Sequence, residues 1–220
     1  MRRLASFLFV LVAASGLAVG VPAQAQMNAP ANTGANPWTL TTEYSADVVI
    51  VSGNQTINSR VNRTPNALRT ETQQRGQTMT AIVRLDRNIG WLLIPGTRNA
   101  AEVDLAGFPM LPGLLRNPPN ATAVAEGTET IDGMTVTRWR VAGGEAGARF
   151  TGKVWATVEG VVVKIEGESE ANNQRQPFSL VARNIRIARQ PPALFEIPDG
   201  YQRLQVPPQL LQALMSGQIR

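Results

Sequence analysis

From Tyr44 onward, apolar and polar positions alternate. Tyr44, Ala46, Val48 and Ile50 fall on one side of an extended chain, with Ser45 and Asp47 between them. A period of two belongs to a strand with one buried face. Ser52-Gly53-Asn54 turns the chain, and Gln55 to Arg63 repeats the pattern, with Ile57, Ser59 and Val61 opposite Asn58, Arg60 and Asn62. Thr64-Pro65-Asn66 supplies the next turn. Leu68 to Gln73 reads as a third strand, polar enough to be expected at an edge or rim. Met79, Ala81, Val83 and Leu85 alternate with Thr80, Arg84 and Asp86. Ile89 to Pro95, with Trp91, Leu92, Leu93 and Ile94, is apolar on both faces, which predicts a central strand or one beneath a covering helix. Arg98 to Leu105 is a further, weaker strand.

The rhythm then stops. Ala106 to Pro119 holds Phe108, Met110, Leu111, Leu114 and Leu115, but four prolines and two glycines exclude a long helix or regular strand. A loop with one helical turn is expected. Alternation resumes from Ala121 to Ile131, and Asp132-Gly133 is a hairpin signal because both residues tolerate positive φ. Met134 to Val141, Ala148 to Thr157, Val161 to Ser169 and Phe178 to Ile187 complete about ten or eleven strands joined by short turns. Such a series predicts a mainly β fold, an antiparallel barrel or strongly curved sheet. Pro207 to Gly217 is the best helix, with Leu210, Leu211, Leu214 and Met215 on one stripe between an opening proline and a closing glycine.

The N-terminus changes the picture from a fold to an address. Met1-Arg2-Arg3, the apolar stretch Leu4 to Val21 and the small-x-small triplet Ala23-Gln24-Ala25 form a cleavable secretory signal, residues 1–25. Residues 26–37 are small, polar and proline-containing, which predicts a flexible leader before one domain over 38–220. The chain has no cysteine, so neither a disulfide nor a lipid-bearing cysteine follows the signal. A soluble periplasmic protein, not membrane-spanning after cleavage, is expected. Removing Arg2 and Arg3 lowers the net charge from +5 to +3. The arginines are scattered along strands without interleaved aromatics, so no nucleic-acid footprint is read.

The strand YSADVVIVSGNQT, the pair MTAIVRLDRNIGWLLIP, the hairpin GTETIDGMTVTRWRV, the segment KVWATVEGVVVKIEGE and the ending LFEIPDGYQRL resemble the LolA-like bacterial periplasmic proteins, relatives of the lipoprotein-localisation factors. That resemblance covers Tyr44 to Leu204. It implies a half-open antiparallel barrel of about eleven strands with covering helices and an apolar cavity, which in the characterised relatives holds acyl chains of lipoproteins. Other relatives use the same architecture to sense lipid-linked or misfolded partners. No motif matches the carrier's partner-binding residues, so none is transferred.

Chemistry is bounded by absence. Without histidine or cysteine, Ser-His-Asp and Cys-His catalysis and imidazole or thiolate metal sites are excluded. Gly167-Glu168-Ser169-Glu170-Ala171 approaches a nucleophile elbow but has no base and no following helix. Glu166, Glu168 and Glu170 share a strand face with Lys164, which suits a solvated sheet exterior better than a carboxylate-only hydrolase. The expectation is a binding protein with no cofactor. Trp91, Leu93, Phe108, Met110, Leu111, Leu114, Leu115, Leu211 and Leu214 would line or cover its cavity. The expected partner is a lipid or lipoprotein acyl chain. The alternative is an envelope sensor or protein-interaction module whose barrel is filled by its own side chains, with an envelope protein as partner.

Overall fold

A computed structural model describes residues 36–74, 76–105, 120–145, 148–171 and 174–206. The signal segment, the Ala106 to Pro119 break and the expected Pro207 to Gly217 helix lie outside the described residues. The strands are β1 (Tyr44–Ser52), β2 (Gln55–Arg63), β3 (Ala67–Gln74), β4 (Gln77–Arg84), β5 (Ile89–Leu93) and β6 (Asn99–Asp104) in the first half. The second half adds β7 (Thr122–Ile131), β8 (Met134–Glu145), β9 (Ala148–Ala156), β10 (Val162–Ala171), β11 (Gln174–Ile187) and β12 (Gln202–Gln205). All belong to one sheet, in the order β12-β6-β5-β4-β3-β2-β1-β11-β10-β9-β8-β7. Two meanders of successive hairpins are thus joined where β1 pairs β11, and the edges β12 and β7 do not pair with each other. The sheet is an open one, as the alternating pattern and the resemblance led us to expect.

Twelve strands do not lie flat, because right-handed twist accumulates and sheets beyond ~10 strands curl or split. Local breaks add bend. Register shifts fall between Ser45 and Asp47 against β11, Val162 and Lys164 against β9, and Ala125 and Gly127 against β8. Each β-bulge increases twist and curvature. Gly152 and Gly167 face each other across β9 and β10, and a Cβ on Gly152 would stand 2.2 Å from the Glu166 carbonyl oxygen. Only glycine allows that approach.

One expectation needs correction, and one strand is new. β3, expected at an edge, is an interior strand between β2 and β4. Its polar side chains reflect the face they lie on, not the position in the sheet order. β12 was not foreseen and runs parallel to β6, with Gln202 opposite Asn99 and Gln205 opposite Glu102. The helical segments the sequence predicts lie outside the described residues, among which the 3-10 turn Pro192–Phe195 packs Phe195 against Ala67, Ile82 and Trp91. Among the described residues no helix is long and apolar enough to cross a membrane.

The chain from Ala188 to Tyr201 crosses one face of the sheet from the centre to the β6 edge. Gln190 accepts a bond from Asn62 Nδ2 at 2.8 Å, Leu194 accepts from Arg69, and Glu196 pairs with Arg84. Phe195 is buried against Ala67, Ile82 and Trp91. This strap explains why β5 is apolar on both sides: one faces Phe195, while Gly90 on the other lets Leu105 approach.

Candidate functional site

Register assigns every strand residue to one of two faces, since directly paired residues point the same way. On the first face, β1 contributes Ala46, Val48 and Ile50, β2 contributes Ile57 and Val61, and β11 contributes Phe178, Leu180 and Ala182. Ile165 and Val154 extend it through β10 and β9 to Trp139 and Val141 on β8. In the other direction Leu68 and Val83 lead to Ala101 and Val103 on β6. The apolar surface is therefore continuous across the sheet.

Buried clusters and half-buried positions alternate along it. At the β8–β9 flank, Val141 and Val154 are wholly buried and Trp38 packs on their cluster. The segment bearing Trp38 is anchored by Thr41 N–H donating to the Glu159 carbonyl at 2.9 Å, and by its fit against Gly160, which has φ +80 and no room for a Cβ. At the other flank Leu68, Val83, Leu85 and Leu105 form a second buried cluster. Between them Ala46, Val48 and Ala182 form a third buried cluster on which half-buried Ile50, Val61 and Leu180 pack, while Ile165 and Phe178, also half-buried, pack on the β8–β9 flank. Phe150 lies over the paired glycines Gly152 and Gly167 and meets Phe178 edge-to-face, with centroids 5.9 Å apart.

Polar groups mark both ends of this middle. Gln176 donates to Ser52 Oγ at 2.9 Å, and the nearby Ser169 Oγ is buried with no hydrogen-bond partner among the described residues. At the opposite end Tyr44 pairs with Arg63, a buried guanidinium that donates to the Ala67 carbonyl at 3.1 Å. Burial pushes the Tyr44 hydroxyl above its ordinary value of 10.0, and the Arg63 charge opposes the shift.

The second face carries most of the charge from β7 to β2, interrupted by the buried Val136 and Trp155. Glu126 is approached by Arg140 at 3.0 Å, Arg138 at 3.3 Å and Lys153 at 4.0 Å. Lys164 pairs with Glu166 at 2.7 Å and sits 4.6 Å over the Trp155 ring. Glu166 and Glu168 are exposed on this face, so the alternating carboxylates lie on the solvated exterior.

Of the residues expected to line the cavity, Trp91 and Leu93 are described, and both project to the strap-covered face rather than the large apolar one. Trp91 is buried and its indole N–H bonds to Glu102. Phe108, Met110, Leu111, Leu114, Leu115, Leu211 and Leu214 lie outside the described residues. Sequence reasoning did not single out Ile50, Val61, Ile165, Phe178 or Leu180 as site residues. Their signal was the in-phase alternation itself, which locates a buried face without telling core from binding surface.

Neither a protein-family model nor a curated protein matches the sequence. Solved structures do match. An uncharacterized conserved protein from Thermus thermophilus is similar at 14% identity with a TM-score of 0.50, covering 76% of this chain and 92% of that one. LprF from Mycobacterium bovis matches at 14% identity and a TM-score of 0.40, covering 73% of this chain and 90% of its own. A putative outer membrane lipoprotein-sorting protein domain from Vibrio parahaemolyticus matches at 9% identity and 0.33, covering 66% and 85%. The chain thus shares its fold with the Thermus protein, and its open antiparallel sheet is the fold class that the LolA-like resemblance implies.

Proposed function

We propose that this chain is an exported periplasmic binding protein that shields an acyl chain, as a lipid or a lipoprotein, on the apolar face of its open sheet. The observation that carries this reading is the continuous apolar surface of that face, on which Ile50, Val61, Ile165, Phe178 and Leu180 stay half-buried around the buried clusters. An acyl chain needs only apolar area, worth about 0.8 kcal/mol for each methylene removed from water. The secretory signal and the LolA-like resemblance agree with the reading. The exposed carboxylates Glu166 and Glu168 lend no support to acid–base chemistry.

A second reading has its own observation. The β8–β9 flank is already filled by the chain's Trp38, Trp139 and Phe150, and a sheet filled this way throughout would serve as a protein-interaction module. Organic extraction of the purified protein, with displacement of a fluorescent fatty-acyl probe, separates the two. Recovered lipid and saturable displacement are expected. An empty extract with no displaceable probe would leave the interaction module.

A further inference from the structure

We infer that the polar face at the centre of the sheet is a docking surface for anionic membrane lipid. A bulge creates the patch. β1 advances two residues from Ser45 to Asp47 while β11 retreats three, from Arg186 to Arg183. The extra residue is Asn184, held at φ 52, a left-handed conformation that asparagine tolerates better than most. In a regular strand, residues three apart point to opposite faces. Here the bulge resets the alternation, so Arg183 and Arg186 emerge on the same face, opposite Asp47 and Ser45 respectively.

Arg60 joins them from β2, while Arg69 on β3 is held beneath the strap by its bond to the Leu194 carbonyl. The carboxylates nearby are already engaged. Asp47 takes Arg60 at 3.5 Å on Oδ1 and Asn184 Nδ2 at 2.8 Å on Oδ2, while Glu71 takes Arg69 at 2.7 Å. Three exposed guanidiniums thus face one carboxylate, Asp47, and Arg183 and Arg186 form no ion pair among the described residues. Arg189, exposed just past the strand, and Glu43, which accepts the Gln190 N–H at 2.6 Å, leave the positive excess unchanged.

The composition of the patch selects its occupant. Stable protein interfaces are anchored by aromatic side chains seated in pockets, and this face of β1, β2 and β11 carries none, only Val49, Val51 and Val181 between the charges. An array of guanidinium forks on a strand face fits many phosphates in many registers, which is what a lipid headgroup layer presents. Attraction by so few charges is weak and reversible. That suits a protein that must leave the membrane again. The polar face would dock on lipid whatever the apolar face carries.

Co-sedimentation of the mature chain with vesicles tests it, comparing pure phosphatidylcholine with phosphatidylcholine mixed with phosphatidylglycerol at about 0.1 M salt. Binding is expected only to the mixed vesicles and should fade as salt is raised. Each arginine neutralised should weaken it about fivefold, so the double variant Arg183→Gln, Arg186→Gln should bind ~25-fold more weakly. The Arg183→Lys, Arg186→Lys pair should retain binding because the charge is kept. Arg175→Gln, which loses a guanidinium paired with Glu170 at 3.0 Å outside the patch, should change little. Absence of binding, equal binding to neutral vesicles, or an unchanged double variant would each overturn the inference.

Discussion

The indole N–H of Trp91 donates a hydrogen bond to Glu102 Oε2 at 2.8 Å, across directly paired positions of β5 and β6. Both residues are buried. The same carboxylate accepts from Gln205 and stands 4.0 Å from Arg203, both on β12, and the Arg203 guanidinium lies 5.8 Å over the Trp91 ring. Glu102 therefore ties the short parallel edge strand to the antiparallel sheet. Glu102→Ala would strand a buried N–H and release β12, costing about 2–3 kcal/mol. Denaturant unfolding reads the loss, and amide exchange should report it first at Gln202 to Gln205. A variant as stable as the parent would mean that the strand is held by its backbone bonds alone.

A methyl group at the Gly152–Gly167 crossing should be far more damaging than one at an open turn. On Gly152 it meets the Glu166 carbonyl oxygen at 2.2 Å and on Gly167 the Thr151 carbonyl oxygen at 2.3 Å, both fixed backbone atoms. On Gly133 it meets nothing within 4 Å, and the cost there is the strain of φ +79. Gly133→Ala is expected to lose about 1 kcal/mol, and Gly152→Ala at least ~3 kcal/mol through overpacking. Comparable losses in the two variants would argue against the close crossing.

Strong acid should loosen the Arg84–Asp86 pair, which the strap residue Glu196 joins. The Arg84 guanidinium bonds both oxygens of Asp86, at 2.9 and 2.7 Å, and also reaches Glu196. The bond from Arg84 holds the Asp86 carboxyl below its ordinary value of 3.8, against a smaller opposing effect of burial. A depressed folded value stabilises the fold above pH 3.8, and that contribution disappears as pH falls through the folded value. Solvent screening keeps it to about 0.5 kcal/mol. NMR titration of Asp86 in the parent and in Arg84→Gln provides the check. The carboxyl should return toward its ordinary value in the variant, and an unmoved titration would remove Arg84 as the cause.

Strand positions were legible in the sequence because alternation follows from burying one face of a sheet. Asp132-Gly133 is the tight turn that its composition predicts, with both residues at positive φ. Sheet order was not legible. β3 looks like an edge because Arg69, Glu71 and Gln73 are polar, but these residues lie on the strap-bearing side of an interior strand, where Arg69 bonds to the Leu194 carbonyl. β12 escaped notice because its residues, Gln202 to Gln205, are all exposed and lack a buried stripe. Its pairing is fixed by Glu102, far away in sequence. The scattered arginines became a patch only through the Asn184 bulge, which shifts face assignment without leaving a periodic trace.

The face on which an acyl chain would rest separates the sequence expectation from the structural one. Trp91 and Leu93 were marked as cavity residues because β5 is apolar throughout, yet register turns both toward the strap, beside Ile82 and Thr80. Ile50 and Leu180 pair directly across β1 and β11 on the other face and are half-buried. Replacing Leu180 with Arg would put a charge at the middle of that face, where the long side chain can still reach water. The fold should survive, but a bound methylene chain would lose its apolar contact. We expect at least tenfold weaker displacement of a fatty-acyl probe by Leu180→Arg, roughly the loss of two buried methylenes, with circular dichroism unchanged. Trp91→Phe removes the bond to Glu102 and should lower stability by about 1–2 kcal/mol while leaving probe affinity within twofold. The reverse outcome, affinity lost with Trp91→Phe and retained with Leu180→Arg, would move the binding surface to the strap side of the sheet.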